Sequence, residues 1–211
     1  HTFSYGLRPF LLTSAAASRK NVGCLVGTCV RNSLYFTAAT GRLFFGAAMS
    51  DYKNTFNLPE TKFPMKRKFY ADLTQYILTL KDQQRSLILM GDMNIAPQDV
   101  DIGIGEKNAK RWLSQGTCSF LPEEREWYQA LLASDLHDTY RQLYADSNER
   151  FSWFDYRSKG FDDEPKRGLR IDHILMSADL AAKLNGAGIS YELRAMEKPS
   201  DHAPIWADFL D

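Results

Sequence analysis

The sequence predicts an α/β or α+β fold around a buried sheet, and three observations predict it. Residues 87–91 (LILMG) are an uncharged apolar run, the pattern of a strand covered on both faces. Just ahead of it, Met65, Phe69, Leu73, Tyr76, Ile77 and Leu80 recur at helical spacing, with Lys66, Arg67, Lys68 and Asp72 turned to solvent. Two more apolar strands follow, over 170–176 (RIDHILM) and 203–209, separated from the first by further helix. Helices interleaved with apolar strands make a sheet-cored domain.

Taken in order, the first fifty residues are rich in Ala, Ser, Thr, Gly and Leu, without a clean period of two or 3.6. They hold no Asp or Glu, but Arg8, Arg19, Lys20, Arg31 and Arg42 give them five positive charges. Such a stretch reads as a transit-type leader, a basic nucleic-acid-binding arm, or sequence foreign to the fold. We favour the third and divide the chain into an atypical acid-free leader over 1–55, out of frame or non-native, and a domain portion over 56–211. With no initiator Met, the chain is expected to begin mid-protein. The helix that starts at Met65 leads into a strand over 86–90. Past a turn, an irregular stretch runs to about Pro122; within it, 106–113 suit a short helix carrying Lys107, Lys110 and Arg111. Pro122 with Glu123 and Glu124 opens a helix over 123–134, with Trp127 and Leu131 on one face. Residues 151–161 are aromatic and basic, and the last strand is entered through Pro199, Ser200, Asp201 and His202.

Composition narrows the function classes. Hydrophobic residues at 44% and aromatics at 13% supply a core for 211 residues. No run of 18 apolar residues exists, which argues against a membrane span. Basic and acidic residues balance at 26 each, so no global field announces a nucleic-acid partner. Cys24, Cys29 and Cys118 are an odd count without metal-ligand spacing, which points away from disulfides and zinc and toward a reducing cytoplasm.

The chemistry starts at the end of the first core strand. Asp92 and Asn94 are two residues apart, and on an extended chain such residues face the same way. A carboxylate there accepts a proton or holds a hard cation; an amide donates to a phosphate oxygen or ligates metal. A strand that simply ends in a turn accounts for the same residues, since Gly, Asp, Asn and Pro all favour turns. Asp172, inside RIDHILM, is either a solvent-facing strand residue or a carboxylate aimed into a cleft. Asp201 and His202 precede the last strand, and the imidazole offers a proton donor near neutral pH. Three carboxylates, an amide and an imidazole, all at or beside strands, compose a hard-metal phosphoesterase site.

Six motifs in order, GDMNIAP (91–97), DIGIGEKNAKRWL (101–113), CSFLPEEREW (118–127), RFSWFDYRSKGFDD (150–163), GLRIDHIL (168–175) and EKPSDHAPIWADF (197–209), resemble the exonuclease III family. These are bacterial DNA-repair nucleases related to apurinic/apyrimidinic endonucleases, within the deoxyribonuclease I-like phosphoesterases. The resemblance runs from about Thr61 to the C-terminus. It implies an α/β four-layer sandwich, two packed sheets flanked by helices, incomplete here at the N-terminus. It implies Mg2+, with Mn2+ as the alternative, and double-stranded DNA carrying abasic sites or 3′ ends as substrate, cut by a monomer in base excision repair.

Carried over by position, Asp92 resembles the family's carboxylate that orients or deprotonates the attacking water, and Asn94 its partner at the phosphate, near metal. Asp172 resembles the acid that protonates or positions the leaving group. Asp201 resembles a carboxylate that orients His202 and approaches metal, and His202 the imidazole on the scissile phosphate. The implied metal ligands are thus Asp92, Asn94 and Asp201. The implied DNA contacts are Arg111, Trp153, Arg157, Lys159 and His202, with Trp153 as a wedge at an abasic gap. A core aromatic is the plain alternative for Trp153, and a solvated helix face for Lys107, Lys110 and Arg111. The family's N-terminal Asn, its metal-binding Glu and a loop Tyr have no counterpart: the neighbours of Tyr52 do not match, and Glu60, Thr61 and Lys62 fit a later ETKFP-like segment. A catalytically incompetent fragment with residual DNA binding is therefore the alternative function. A lipid or inositol phosphoesterase fits the Trp-bearing loop less well.

Overall fold

The structure, a computed structural model, describes residues 22–30, 33–38, 44–45, 59–82, 86–117 and 119–210, with side chains from residue 63 onward. Cys118 and the side chains of Cys24, Cys29, Tyr52, Glu60, Thr61 and Lys62 lie outside the described residues, as does most of the expected leader.

Strands β1 (Val22–Val30), β2 (Ser33–Ala38) and β3 (Phe44–Phe45) precede the long helix α1 (Pro59–Asp82), which feeds β4 (Ser86–Asp92). Then come α2 (Glu106–Ser114), α3 (Pro122–Ala133), β5 (Leu136–Asp138), α4 (Thr139–Leu143), β6 (Asp172–Ser177) and α5 (Ala178–Ala181). Strand β7 (Leu184–Ile189), helix α6 (Tyr191–Arg194) and β8 (Ile205–Phe209) complete the order. One sheet runs β3-β2-β1-β4-β6-β5, and β7 pairs with β8 in a second. The class expected from sequence is correct: two sheets with helices packed against them.

Strand β4 sits centrally, parallel to β1 and antiparallel to β6. Its alternation explains the main core. Leu87 and Leu89 are buried on one face, where Phe69, Tyr70, Leu73, Ile77 and Leu80 of α1 meet Tyr128 and Leu131 of α3. The apolar repeat read in the sequence is thus the buried stripe of α1, although the helix begins six residues earlier, at Pro59. Lys66 departs from expectation. Its side chain is only 14% exposed and turns inward to Glu124 rather than to solvent. Among charged residues, a lysine stem packs well and its ammonium needs only a carboxylate to come inside.

The second expected strand starts at Asp172 rather than Arg170, because Arg170 N donates to the Asp101 carbonyl and Ile171 N to the Ser152 hydroxyl instead of to a neighbouring strand. The third starts at Ile205, after Pro204. Strand β7 (LNGAGI) lacks the apolar alternation that would mark it in sequence. Its glycines serve packing: a Cβ on Gly188 would lie 2.7 Å from the Trp206 ring. Gly168 has a similar role nearer the site. A Cβ there would be 2.5 Å from the Trp153 carbonyl oxygen, and this close approach lets Leu169 bridge to Trp153. No helix among the described residues is long and apolar enough to cross a membrane.

Candidate active site

The antiparallel register of β4 and β6 places Asp92 opposite Asp172. Residues paired across a ladder share a face of the sheet, so two carboxylates from distant segments meet. The loop before β8 delivers the third group. His202 Nδ1 lies 2.8 Å from Asp172 Oδ2, and ligand atoms of Asp92, Asp172 and His202 all fall within 4.8 Å of one another.

The electrostatics follow from burial and proximity. Burial, then the Asp172 charge, pushes Asp92 up to about 7, against the opposing pull of His202, the Asn94 N–H and Lys66. For His202, burial alone would lower the imidazole. The hydrogen bond and charge of Asp172, helped by Asp92 and Asp201, overcome that and raise it to about 9. Raised in this way, the ring carries a proton on Nδ1 that it donates to Asp172. The oxygens of Asp92 and Asp172 are the donors that fit a hard cation. Two partly covered carboxylates that repel each other form an oxygen set that a divalent ion would relieve.

Asn94 reaches this place by a turn rather than by strand alternation, which corrects the sequence argument. Met93 N still bonds the Ile171 carbonyl at 2.9 Å, but Asn94 has φ +53° and its N–H donates to Asp92 Oδ1 at 2.8 Å. Asparagine is among the non-glycine residues that enter this left-handed region most readily. Here the side-chain oxygen accepts from the Ser119 hydroxyl at 2.8 Å.

Asp201 stands apart from the other acids. It was expected to orient His202, but Asp172 holds that position, and Asp201 Oδ2 accepts from the Trp153 indole Nε1 at 3.1 Å. Neighbours on an extended segment point opposite ways, which is why the two adjacent side chains part. Trp153 is partly buried: its ring lies 6.3 Å from Trp112, itself stacked on Phe120, and its backbone bridges to His202. Arg157 and Lys159 are exposed on the turn that follows. Arg111 and Lys107 are exposed on α2, and Lys110 pairs with Glu106 at 2.5 Å.

Behind the three-residue centre lies a buried charge network absent from the sequence reading. Arg170 donates to Asp101 at 2.6 Å and to Asp138 at 2.8 Å, and Arg141 also binds Asp101. His173 joins it, with Nε2 2.8 Å from the Ile95 carbonyl and Nδ1 facing Arg170 and the Tyr128 hydroxyl. Burial would raise Asp138, yet the Arg170 guanidinium and His173 hold it well below the usual carboxylate range. The sequence signal was available in RIDH, where three polar residues interrupt an otherwise apolar strand.

Fold and site together define an α/β protein with an acidic, cation-compatible centre at one end of its main sheet. The sequence profile of the Endonuclease/Exonuclease/phosphatase family matches residues 2–202, and the chain belongs to that family. It is 62% identical over 150 residues to Exodeoxyribonuclease III of Haemophilus influenzae, a match covering 71% of this chain and 55% of the relative. Among solved structures, it is similar to a 3′ phosphatase from Neisseria bound to a product DNA hairpin, with TM-score 0.65, 34% identity and coverage of 85% and 65% of the two chains. An AP endonuclease from Archaeoglobus fulgidus gives TM-score 0.62, 29% identity and coverage of 71% and 55%. The chain spans about half the length of the curated relatives it matches. The exonuclease III resemblance of the six motifs is borne out.

Proposed function

We propose that this chain is an exonuclease III-type DNA repair nuclease, hydrolysing phosphodiesters at 3′ ends and 5′ to abasic sites in base excision repair. The observation that carries the reading is the meeting of Asp92, Asp172 and His202, with Asn94 hydrogen-bonded to Asp92. Its relatives named as nucleases and an AP endonuclease support it.

In this reading the Asp92 carboxylate, opposite Asp172 in the ladder, orients the attacking water. The His202 ring donates to a phosphate oxygen, while Asp172 fixes the ring by accepting from Nδ1 and, as the family resemblance implies, positions the leaving group. Mg2+, or Mn2+ in its place, would rest on Asp92 and Asp172 and neutralise charge at the phosphate. Trp153, Arg157, Lys159 and Arg111 face the duplex, the indole at the abasic gap and the cations on phosphates. The protein works as a monomer in the cytoplasm.

A second reading, a fragment that binds DNA without cutting it, is favoured by the missing counterparts of the family's Asn, Glu and Tyr. Incision of an abasic duplex with Mg2+, with chelator as control, separates the two: incision supports the nuclease, and binding without incision the fragment. The division near residue 55 belongs to the same proposal. Sequencing the coding DNA upstream of the Thr61 codon tests it: a family-like reading in a shifted frame is expected, and its absence overturns the division.

A further inference from the structure

A carboxamide has two unlike ends: an oxygen that ligates cations and an NH2 that donates to phosphate oxygens. Which end of Asn94 faces the opening depends on what holds the other. The Ser119 hydroxyl donates to Asn94 Oδ1 at 2.8 Å. Ser119 is itself firmly seated. It is 7% exposed, its N–H donates to Glu124 Oε2 at 2.7 Å, and its carbonyl accepts from Ala96 N at 2.5 Å. Glu124 is fully buried at the start of α3, where it also accepts from Leu121 N at 2.8 Å and from Lys66 Nζ at 2.5 Å. Lys66 closes the circuit by donating to the Asn94 carbonyl at 2.7 Å. The Asn94 main chain is thus clamped by Lys66 and Asp92, and its amide oxygen is turned toward the Ser119 hydroxyl.

We propose that Ser119, seated by Glu124 and Lys66, is a positioning residue that turns the Asn94 NH2 toward the substrate phosphate and withholds its oxygen from the metal. The inference rests on the nuclease reading and sharpens it: a cation held by Asp92 and Asp172 would not take Asn94 as a ligand. The geometry also supplies a clean probe. Ser119 has φ +107°, a conformation that glycine adopts without strain, so Ser119→Gly removes the hydroxyl while easing the backbone.

The test is nitrogen-15 NMR of the whole chain, with the Asn94 side-chain signals identified by their loss in Asn94→Ala. In wild type, an abasic duplex added in chelator should shift the Asn94 NH2 signals, and Mg2+ alone should leave them in place. In Ser119→Gly, the duplex affinity should fall about three- to tenfold and the Asn94 response should shrink, the size of one lost ordering hydrogen bond. Movement of the Asn94 signals by Mg2+ alone would overturn the inference, because it would mean the amide sits the other way round. An unchanged Asn94 response and affinity in Ser119→Gly would do the same. The wild-type arm decides how the Asn94 amide is turned, and Ser119→Ala, which also lacks the hydroxyl, should reproduce the weaker duplex response if Ser119→Gly folds poorly. A duplex that moves the Trp153 indole signal but not Asn94 defeats the inference alone; one that moves neither defeats the nuclease reading as well.

Discussion

Asp92 and Asp172 stand directly opposite each other in the β4–β6 ladder, two carboxylates on one face of a buried sheet. Like charges in that relation destabilise a sheet, and here His202 and Lys66 are the compensating cations. Neither partner announces the other in sequence, because strand register is a long-range property.

The first expectation concerns this repulsion. Asp92 is raised from 3.8 to about 7, so the folded state binds the extra proton. Stability owed to that proton is full below about pH 4 and is lost as pH rises through 7. Asp92→Asn should flatten the loss. In chelator at pH 8, the variant should melt several degrees above wild type, with little difference at pH 4. Equal melting at pH 8, read by calorimetry, would contradict it.

His202 gives a second pH window. It is raised from 6.5 to about 9, so its contribution is full below about 6.5 and is lost as pH rises through 9. Proton NMR should show the ring titrating near 9 in wild type. Asp172→Asn should return it toward 6.5, and a midpoint unmoved by that substitution would remove Asp172 as the cause.

The buried network behind the site should show in acid. Asp138 is held below the ordinary carboxylate range, so the stability it confers is present above about pH 4 and is lost as pH falls further. Asp138→Asn should cost about 3 kcal/mol in urea unfolding at pH 7, because Arg170 keeps only Asp101 as a carboxylate partner. A cost under about 1 kcal/mol would mean that the network is held together elsewhere.

Trp153 separates packing from recognition. Trp153→Phe keeps an aromatic face against Trp112 but frees Asp201, and should fold within about 1 kcal/mol of wild type. It should also retain a preference for abasic over intact duplex. Trp153→Ala should lose about tenfold of that preference, the worth of one stacking contact. Fluorescence anisotropy with both duplexes provides the measurement, and an undiminished preference in Trp153→Ala would leave the ring a packing role only.

Much of the fold was legible because its signals are local. The stripe from Met65 to Leu80, the LILM run and the Pro122 start each follow a short-range period or a cap, and the structure places α1, β4 and α3 on them. Strands β5 and β7 were not legible: one has three residues and the other is glycine-rich, so partners rather than propensity make them strands. In the site, the residue types at Asp92, Asp172 and His202 were readable, but their pairing was not. Sequence adjacency suggested Asp201 for His202, while cross-strand geometry delivers Asp172. Ser119 and Lys66 escaped for a related reason. One lies in an irregular stretch and the other on a nominally polar face, and only the folded chain brings both to Asn94.

Single-turnover cleavage of an abasic duplex under Mg2+, comparing wild type, Asp92→Asn, His202→Asn and the double variant, tests most directly whether these groups form one catalytic centre. Groups that act as a unit are strongly non-additive. Each single substitution should slow cleavage by about a thousandfold or more, with the double variant little worse than either. Cleavage by Asp92→Asn at the wild-type rate, with the same dependence on Mg2+, would contradict the assignment.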